Sequence, residues 1–378
     1  MKKIIISHYF KDNYTVSYSV LLNFKLFYIM EDYFYLNNYE ILSLKDFIVN
    51  KEDKELINNK DKNYELDDEV FEKLSIDAQK NLINIIKDDD TYQNAYIIGF
   101  HPKGYMWFFR SYAYEYLKKR NIKIIIWQDD LHCYPKTRKL DYNEIVLDNS
   151  LNKMDLLLTP SVHYWKNINH PLLTKTKYYF YCFNENFYNE LPINNYNERK
   201  TKILLSGANY QGYPIRQALL RYYNKNKDNN QEEDNLAKYI DFYPHPTYDR
   251  HKNKGKTGLD YYKEISTYKA AFFGFYNYPL NYPLAKIIEI LACGTLGFLE
   301  DSPVIQEYLG LEKFKHYVPI LLNEKNEPIL DASYYLSFLT TPVGKKIAED
   351  GCKYVRNKFT MKNKCDELIK ILNNIEKE

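Results

Sequence analysis

The sequence predicts an α/β chain with two Rossmann-like domains in tandem, facing a cleft. Three observations predict it. Short apolar runs of strand length recur in both halves, among them 95–100 and 122–127 in the first and 202–208, 270–275 and 295–299 in the second. Stretches with helical spacing stand between them, and strands joined through helices run parallel in one sheet. A polar, Asn-rich stretch at 184–202 around Pro192 separates the two sets, and 378 residues are more than one core usually spans. The boundaries that follow are a first domain over 1–190, a second over 200–340, and helices over 341–378 that cross back and pack across the domains.

The elements follow in order. Lys3 to Ile6 reads as a buried strand, because Lys11, Asp12 and Asn13 break the apolar start before any signal-peptide cleavage site. The stretch from Val16 to Met30 has mixed spacing, and 51–68 is polar and reads as a loop. Between Val70 and Ile86 the apolar positions Val70, Phe71, Leu74, Leu82 and Ile85 partly follow helical spacing, and three aspartates at 88–90 end the pattern. Strand 95–100, a helix from about Met106 to Lys119 and strand 122–127 form a βαβ unit. The runs 154–159 and 178–183 read as two further strands, which makes this half a doubly wound sheet. In the second half, strand 202–208 precedes a helix opened by Pro214, since proline suits a first helical position. Strand 239–243, helix 259–269, strand 270–275, helix 284–293, strand 295–299 and a terminal pair of helices over about 342–377 complete the chain.

Composition excludes several classes of function. Lys plus Arg number 52 against 50 Asp plus Glu, and the resulting formal charge of +2 does not supply the dense cationic surface that nucleic-acid binding needs. No apolar run approaches the roughly 18–20 residues that cross a bilayer. The five cysteines, at 133, 182, 293, 352 and 365, are an odd count without a CxxC pair, against both a disulfide framework and a zinc cluster. The cytoplasm is the expected compartment. Forty tyrosines against twelve glycines point to an A/T-biased genome, so aromatic and Asn-Lys patches carry little weight.

The segment from Tyr282 to Gly294 is the most specific feature of the chain. Pro283 suits a helix start and Gly294 a position just past a helix end, while Lys286 and Glu289 lie three apart on one helical face. A helix start offers free N–H groups to a phosphate, and Lys286 adds a full charge. Glu289 is placed to accept hydrogen bonds from two ribose hydroxyls. The alternative is an exposed i,i+3 ion pair on an amphipathic helix.

Lys286-x-x-Glu289-Ile290-Leu291-Ala292-x-Gly294, the following strand Leu296 to Leu299, Glu307, and the tail from Ile347 through Gly351 and Val355 to Phe359-Thr360 resemble the donor half of GT-B glycosyltransferases. The likeness is greatest to the spore-maturation-protein-like and family 4-type groups. It extends back to Ser206-Gly207 and Tyr213-Pro214-x-Arg216, so it covers roughly 200–378, while the first half is similar in its strand and helix pattern alone. The resemblance implies that Glu289 grips the ribose of a nucleotide-sugar, that Lys286 meets the diphosphate, and that Ser206 and Gly207 approach the phosphates. Tyr282 and Leu284 join the donor-binding set. Retaining members often carry a second glutamate eight positions before the first; here that position is Asn281. Arg216 is either a second phosphate contact or a surface residue, and His245, between two prolines, lies either near the nucleotide base or in a turn.

In the first half the candidates sit where strands end: His101 after 97–100, and Asp130 and His132 after 122–127. Neighbouring parallel strands bring such residues to one rim, as an acceptor pocket with a general base requires. Structural roles remain the alternative for each. The resemblance implies a cytoplasmic glycosyltransferase that takes a UDP- or GDP-linked sugar to a hydroxyl of a glycan or other glycoconjugate, with no cofactor, metal, nucleic acid or transmembrane segment. Inversion would use Asp130 or His132 as base, whereas retention needs the base less. Two rivals stand beside it: a non-catalytic nucleotide-sugar-binding protein, and a metal-dependent phosphohydrolase built on Asp129, Asp130 and His132.

Overall fold

A computed structural model of the chain describes residues 1–7, 31–43, 47, 50, 68–100, 111–127, 153–167, 169, 171–191, 196–207, 213–228, 235–244, 258–275 and 285–376. The described residues fall into two compact units, the first running to Phe180 and resuming at Cys365, the second being Tyr181–Lys364.

The first unit holds a parallel sheet of six strands in the order β2-β1-β3-β4-β5-β6. They are β1 (Lys2–Ser7), β2 (Tyr39–Ser43), β3 (Tyr96–Phe100), β4 (Lys123–Trp127), β5 (Leu156–Thr159) and β6 (Thr176–Tyr178). Ile4 pairs with Ile41 on one side and Tyr96 on the other. Ile4, Ile5 and Ile6 are wholly buried, which is why an inner parallel strand reads as an unbroken β-branched run without alternation. Before β2 lies a short helix α1 (Glu31–Leu36), between β2 and β3 the long α2 (Asp68–Asp88), and between β3 and β4 α3 (Ser111–Lys119), as the βαβ reading expected. The helix α4 (Val162–Asn167) follows β5.

Two strands of this sheet differ from the sequence reading. The edge strand β2 was not foreseen. The run 178–183, expected as a strand, contributes one residue to β6, while Tyr179, Phe180, Tyr181, Cys182 and Phe183 are buried outside any strand. Burial of irregular chain gives the same continuous apolar signature as a buried strand, and periodicity does not separate them.

The second unit carries five parallel strands in the order β11-β10-β9-β7-β8. These are β7 (Lys200–Gly207), β8 (Ile240–Pro244), β9 (Tyr268–Phe273), β10 (Leu296–Leu299) and the two-residue β11 (Val318–Pro319). The helices are α5 (Pro214–Asn226), α6 (Gly258–Ser266), α7 (Lys286–Ala292), α8 (Ala332–Leu339) and α9 (Pro342–Lys358). Ile203, Leu205, Phe272 and Phe298 share a core with Tyr335 of α8, whose ring meets Phe298 at 5.0 Å and Phe272 at 5.2 Å between centroids, both edge-on. Because β7 lies between β8 and β9, the chain leaves it to one side and returns on the other. This is the topological switch point beside which the carboxyl ends of α/β strands leave room for a ligand.

The terminal helices divide between the units. Helix α9 belongs wholly to the second unit, where it packs on α7 and β10. The last helix, α10 (Met361–Ile375), belongs to the first from Cys365 onward. There Leu368 and Leu372 are fully buried, Tyr39 Oη donates to Asn373 Oδ1 at 2.9 Å, and Glu376 engages Lys2 and Tyr96. No helix of the described residues is long and apolar enough to cross a membrane.

Candidate functional site

Every residue of α7 is buried, including the charged ones. Its β-branched residues Ile287, Ile288 and Ile290 are poor helix formers in isolation, so packing on all sides overrides propensity here. The far end of the helix is fixed by local geometry. Gly294 takes φ +67°, its N–H donates to Leu291 O at 2.9 Å, and Thr295 N–H donates to Ile290 O at 3.3 Å, the paired bonds of a Schellman stop. The last carbonyls are taken by two arginines. Arg356 Nε donates to Ala292 O at 2.8 Å, Arg199 Nη2 to Cys293 O at 3.1 Å, and Arg199 Nη1 to Gly294 O at 2.7 Å.

At the other end stand Lys286 and Glu289. The alternative of an exposed ion pair is ruled out, because Lys286 is 8% and Glu289 2% accessible. Lys286 Nζ lies 3.4 Å from Glu289 Oε2 and donates to Tyr261 Oη of α6 at 2.5 Å, with Nζ also 4.5 Å from the centre of the Tyr261 ring. Burial alone lowers the pKa of such an ammonium, but Tyr261 and Glu289 outweigh it and hold Lys286 above its ordinary value. The lysine is therefore a permanent cation in a nearly dry setting. Helix α7 itself has seven residues and starts at Lys286, two residues later than expected, after Ala285 in helical conformation. Charge directed at an anion here comes from side chains rather than from the helix end.

The carboxyl end of β7 completes the cluster. Ser206, 4% accessible, shares a hydrogen bond with Tyr261 through its Oγ. Gly207 has φ +127°, a backbone state side chains seldom adopt, and a Cβ built there would stand 2.6 Å from Arg216 Cζ. Glycine thus lets the arginine of the first turn of α5 lie against the chain. Arg216 is 4% accessible, its guanidinium is 4.2 Å from the Tyr213 ring centre, and its charge acts against that of Lys286. The structure brings together Ser206, Gly207, Arg216, Lys286 and Glu289, five residues that the sequence reading named from three separate segments. Two cations and one carboxylate leave a net positive charge in low dielectric, which suits a multiply charged anion.

Tyr261 and Glu300 were missed. Tyr261 is one of forty tyrosines, and its only sequence signal is a place in the helix before β9. Glu300 follows β10; its Oε2 accepts from Phe275 N–H at 2.7 Å, and burial pushes its carboxyl up to about 7. His101, Asp129, Asp130, His132, His245, Asn281, Tyr282 and Leu284 lie outside the described residues. Among the described residues no three His, Cys, Asp or Glu side chains gather as a metal site, and Cys182, Cys293, Cys352 and Cys365 are buried free thiols.

No family model matches the chain, and no curated protein matches it in sequence. No family-level match therefore stands behind the spore-maturation-protein-like and family 4-type resemblance. Solved structures do match in shape. A glycosyltransferase from Rickettsia africae superimposes with a TM-score of 0.55 at 14% identity, over 100% of this chain and 99% of that one. Anabaena HepE, solved in complex with UDP and glucose, gives 0.55 at 10% identity over 99% of each chain. A UDP-forming α,α-trehalose-phosphate synthase from Burkholderia vietnamiensis gives 0.55 at 9% identity over 99% of this chain and 100% of that one. These likenesses establish the architecture as GT-B, with two parallel-sheet Rossmann-like domains.

Proposed function

We propose that this GT-B chain is a glycosyltransferase of the spore-maturation-protein-like or family 4-type kind, working in the cytoplasm. It moves a sugar from a UDP- or GDP-linked donor to a hydroxyl of a glycan or glycoconjugate. The second unit holds the donor, and His101, Asp130 and His132 of the first serve the acceptor. The observation that carries this reading is the buried cationic cluster of Lys286 and Arg216 beside Gly207, at the carboxyl end of β7. Two of the structural neighbours are described with UDP, one bound together with glucose and one formed as a product, which favours the same donor class here.

The chemistry follows from charge. As the glycosidic bond to the donor breaks, negative charge grows on the departing diphosphate and positive charge on the sugar. Lys286 and Arg216 meet the former as fixed charges that need no reorganisation, each kept in place by an aromatic ring and, for Lys286, by Glu289. Glu289 is then the partner of the ribose hydroxyls, and Asp130 or His132 takes the proton of the acceptor hydroxyl if the configuration inverts. With the diphosphate charge met by side chains, no divalent metal is needed.

Thermal melting with UDP, GDP and a panel of their sugars tests the reading, since a ligand of the native state raises apparent stability by mass action. The expected result is a shift with one base, followed by release of that nucleoside diphosphate in the presence of acceptor, undiminished by chelator. Absence of any shift overturns donor binding, binding without turnover turns the chain into a nucleotide-sugar-binding protein, and turnover lost in chelator and restored by magnesium or manganese makes Asp129 and Asp130 the metal ligands.

A further inference from the structure

The donor-site reading leaves one arrangement unexplained, a buried line of hydrogen bonds from Lys286 through Tyr261 to Ser206. An ammonium only donates, so at 2.5 Å from Lys286 Nζ the Tyr261 oxygen is an acceptor. Tyr261 has one proton of its own. Among the described residues the other hydrogen-bond partner of its hydroxyl is Ser206 Oγ, and either oxygen can be the donor of that bond. One proton occupies that line, so one of the two hydroxyl protons is turned away from it. No acceptor for that second proton occurs among the described residues, although Ser206 is 4% and Tyr261 2% accessible. Buried hydroxyl protons ordinarily have an acceptor, and the Ser206 hydroxyl sits at the carboxyl end of β7 beside Gly207, which Arg216 approaches.

We propose that Tyr261 is a positioning residue for the donor: its hydroxyl, polarised by Lys286, fixes the Ser206 O–H as an outward hydrogen-bond donor to a phosphate oxygen of the nucleoside diphosphate. Of the two directions open to the Tyr261–Ser206 bond, the one that continues from the cationic end is the cooperative one. Each hydrogen bond points the same way, from Lys286 to Tyr261 to Ser206 to the anion, and such aligned bonds polarise one another. The Tyr261 ring serves the same end by lying against the ammonium, with its centre 4.5 Å away, and is itself backed by Tyr243 of β8, ring centres 6.2 Å apart. This rests on the second unit being the donor site.

Isothermal titration of the full chain with UDP and GDP, and with uridine and guanosine as probes lacking phosphate, tests it. Tyr261→Phe keeps the ring and its packing and removes the oxygen alone; Ser206→Ala removes the other end of the chain without touching the Lys286 contact. Each variant is expected to lose about tenfold in affinity for the nucleoside diphosphate, as removal of one charge-polarised hydrogen bond implies. The double variant should lose no more than either single one, because the bonds act as a unit, and binding of the nucleoside should not change. Undiminished diphosphate affinity in Tyr261→Phe, additive losses in the double variant, or equal losses for nucleoside and diphosphate would each overturn the proposal. If the unaltered chain binds neither UDP nor GDP, the donor-site reading itself falls.

Discussion

Replacing Glu300 by Gln is expected to affect the protein least in mild acid and to stabilise it in mild alkali. The carboxyl follows β10 at the end of the sheet where Ser206 and Gly207 close β7, and its one partner among the described residues is the Phe275 N–H at 2.7 Å. Its chain neighbour is placed quite differently, since Asp301 accepts from Tyr317 at 3.0 Å and pairs with Lys313 at 2.6 Å. Burial without a cation pushes the Glu300 carboxyl from 4.5 to about 7, against the smaller opposing effect of the Phe275 bond. The folded protein thus holds this proton more tightly than the unfolded chain. Stability from this group is present in full below pH 4.5 and is lost as pH rises through about 7. At 1.36 kcal/mol per pH unit the loss is on the order of 3 kcal/mol, an upper value because a buried carboxylate relaxes toward water. Gln keeps an oxygen for Phe275 and removes the charge. Calorimetric melting of both proteins from pH 5 to pH 8 reads the difference. The variant should come nearest to the parent at pH 5 and melt several degrees higher at pH 8, at about 2–4 °C per kcal/mol for a unit of this size. A difference between the two that stays constant across this range would refute the reasoning.

Three further outcomes are expected. Glu289→Ala should lower nucleoside-diphosphate affinity about ten- to hundredfold, through lost charge-assisted hydrogen bonds, and should also cost roughly 3–5 kcal/mol by leaving the Lys286 ammonium buried without its carboxylate. Calorimetry on a variant shown to be folded separates the two effects, and unchanged binding would remove Glu289 from the donor site. Gly207→Ala should cost about 1–3 kcal/mol from its φ of +127° and weaken diphosphate binding by displacing Arg216, as melting and titration together would show; a variant with parental stability contradicts the strain. Asp130→Asn and His132→Ala should lower turnover by roughly 10²- to 10⁴-fold and spare donor affinity if either is the acceptor base, whereas weakened donor binding in both would take them out of the acceptor site.

What the sequence made legible follows physical lines. Buried parallel strands such as β4, β7 and β10 are covered on both faces, so they appear as unbroken runs bounded by turn residues, and a proline start and a glycine stop mark α5 and α7. The edge strand β2 was not legible because it carries Glu40, whose carboxylate meets Lys3 at 2.9 Å on the neighbouring strand. A sheet-edge ion pair looks like loop polarity in one dimension. The spacing of Lys286 and Glu289 was legible but their burial was not, since an i,i+3 pair has the same spacing under a covering helix as in solvent. Tyr261 was hidden by composition, as the same bias that made tyrosine common removed its weight as a signal.

Arg199 and Arg356 were also invisible as site residues, and the reason bears on how the site works. Neither stands near Lys286 in sequence, and both act on the opposite end of α7, where they and the Gly294 stop occupy its last carbonyls. Arg199 is buried at a cost, for burial lowers its pKa from the ordinary value without a carboxylate to pair with among its hydrogen-bond partners. That cost fixes a short helix that propensity alone would not hold, and α9, which carries Arg356, packs against it. With the far end of α7 fastened, the first turn has little freedom to slide or rotate. Tyr261 and Glu289 then hold the Lys286 ammonium at one point rather than over the range a long side chain would otherwise explore. On the proposed donor-site reading, a charge fixed before the ligand arrives would not reorganise as the diphosphate departs, so the two arginines that fasten α7 would contribute to the electrostatics of a reaction they do not touch.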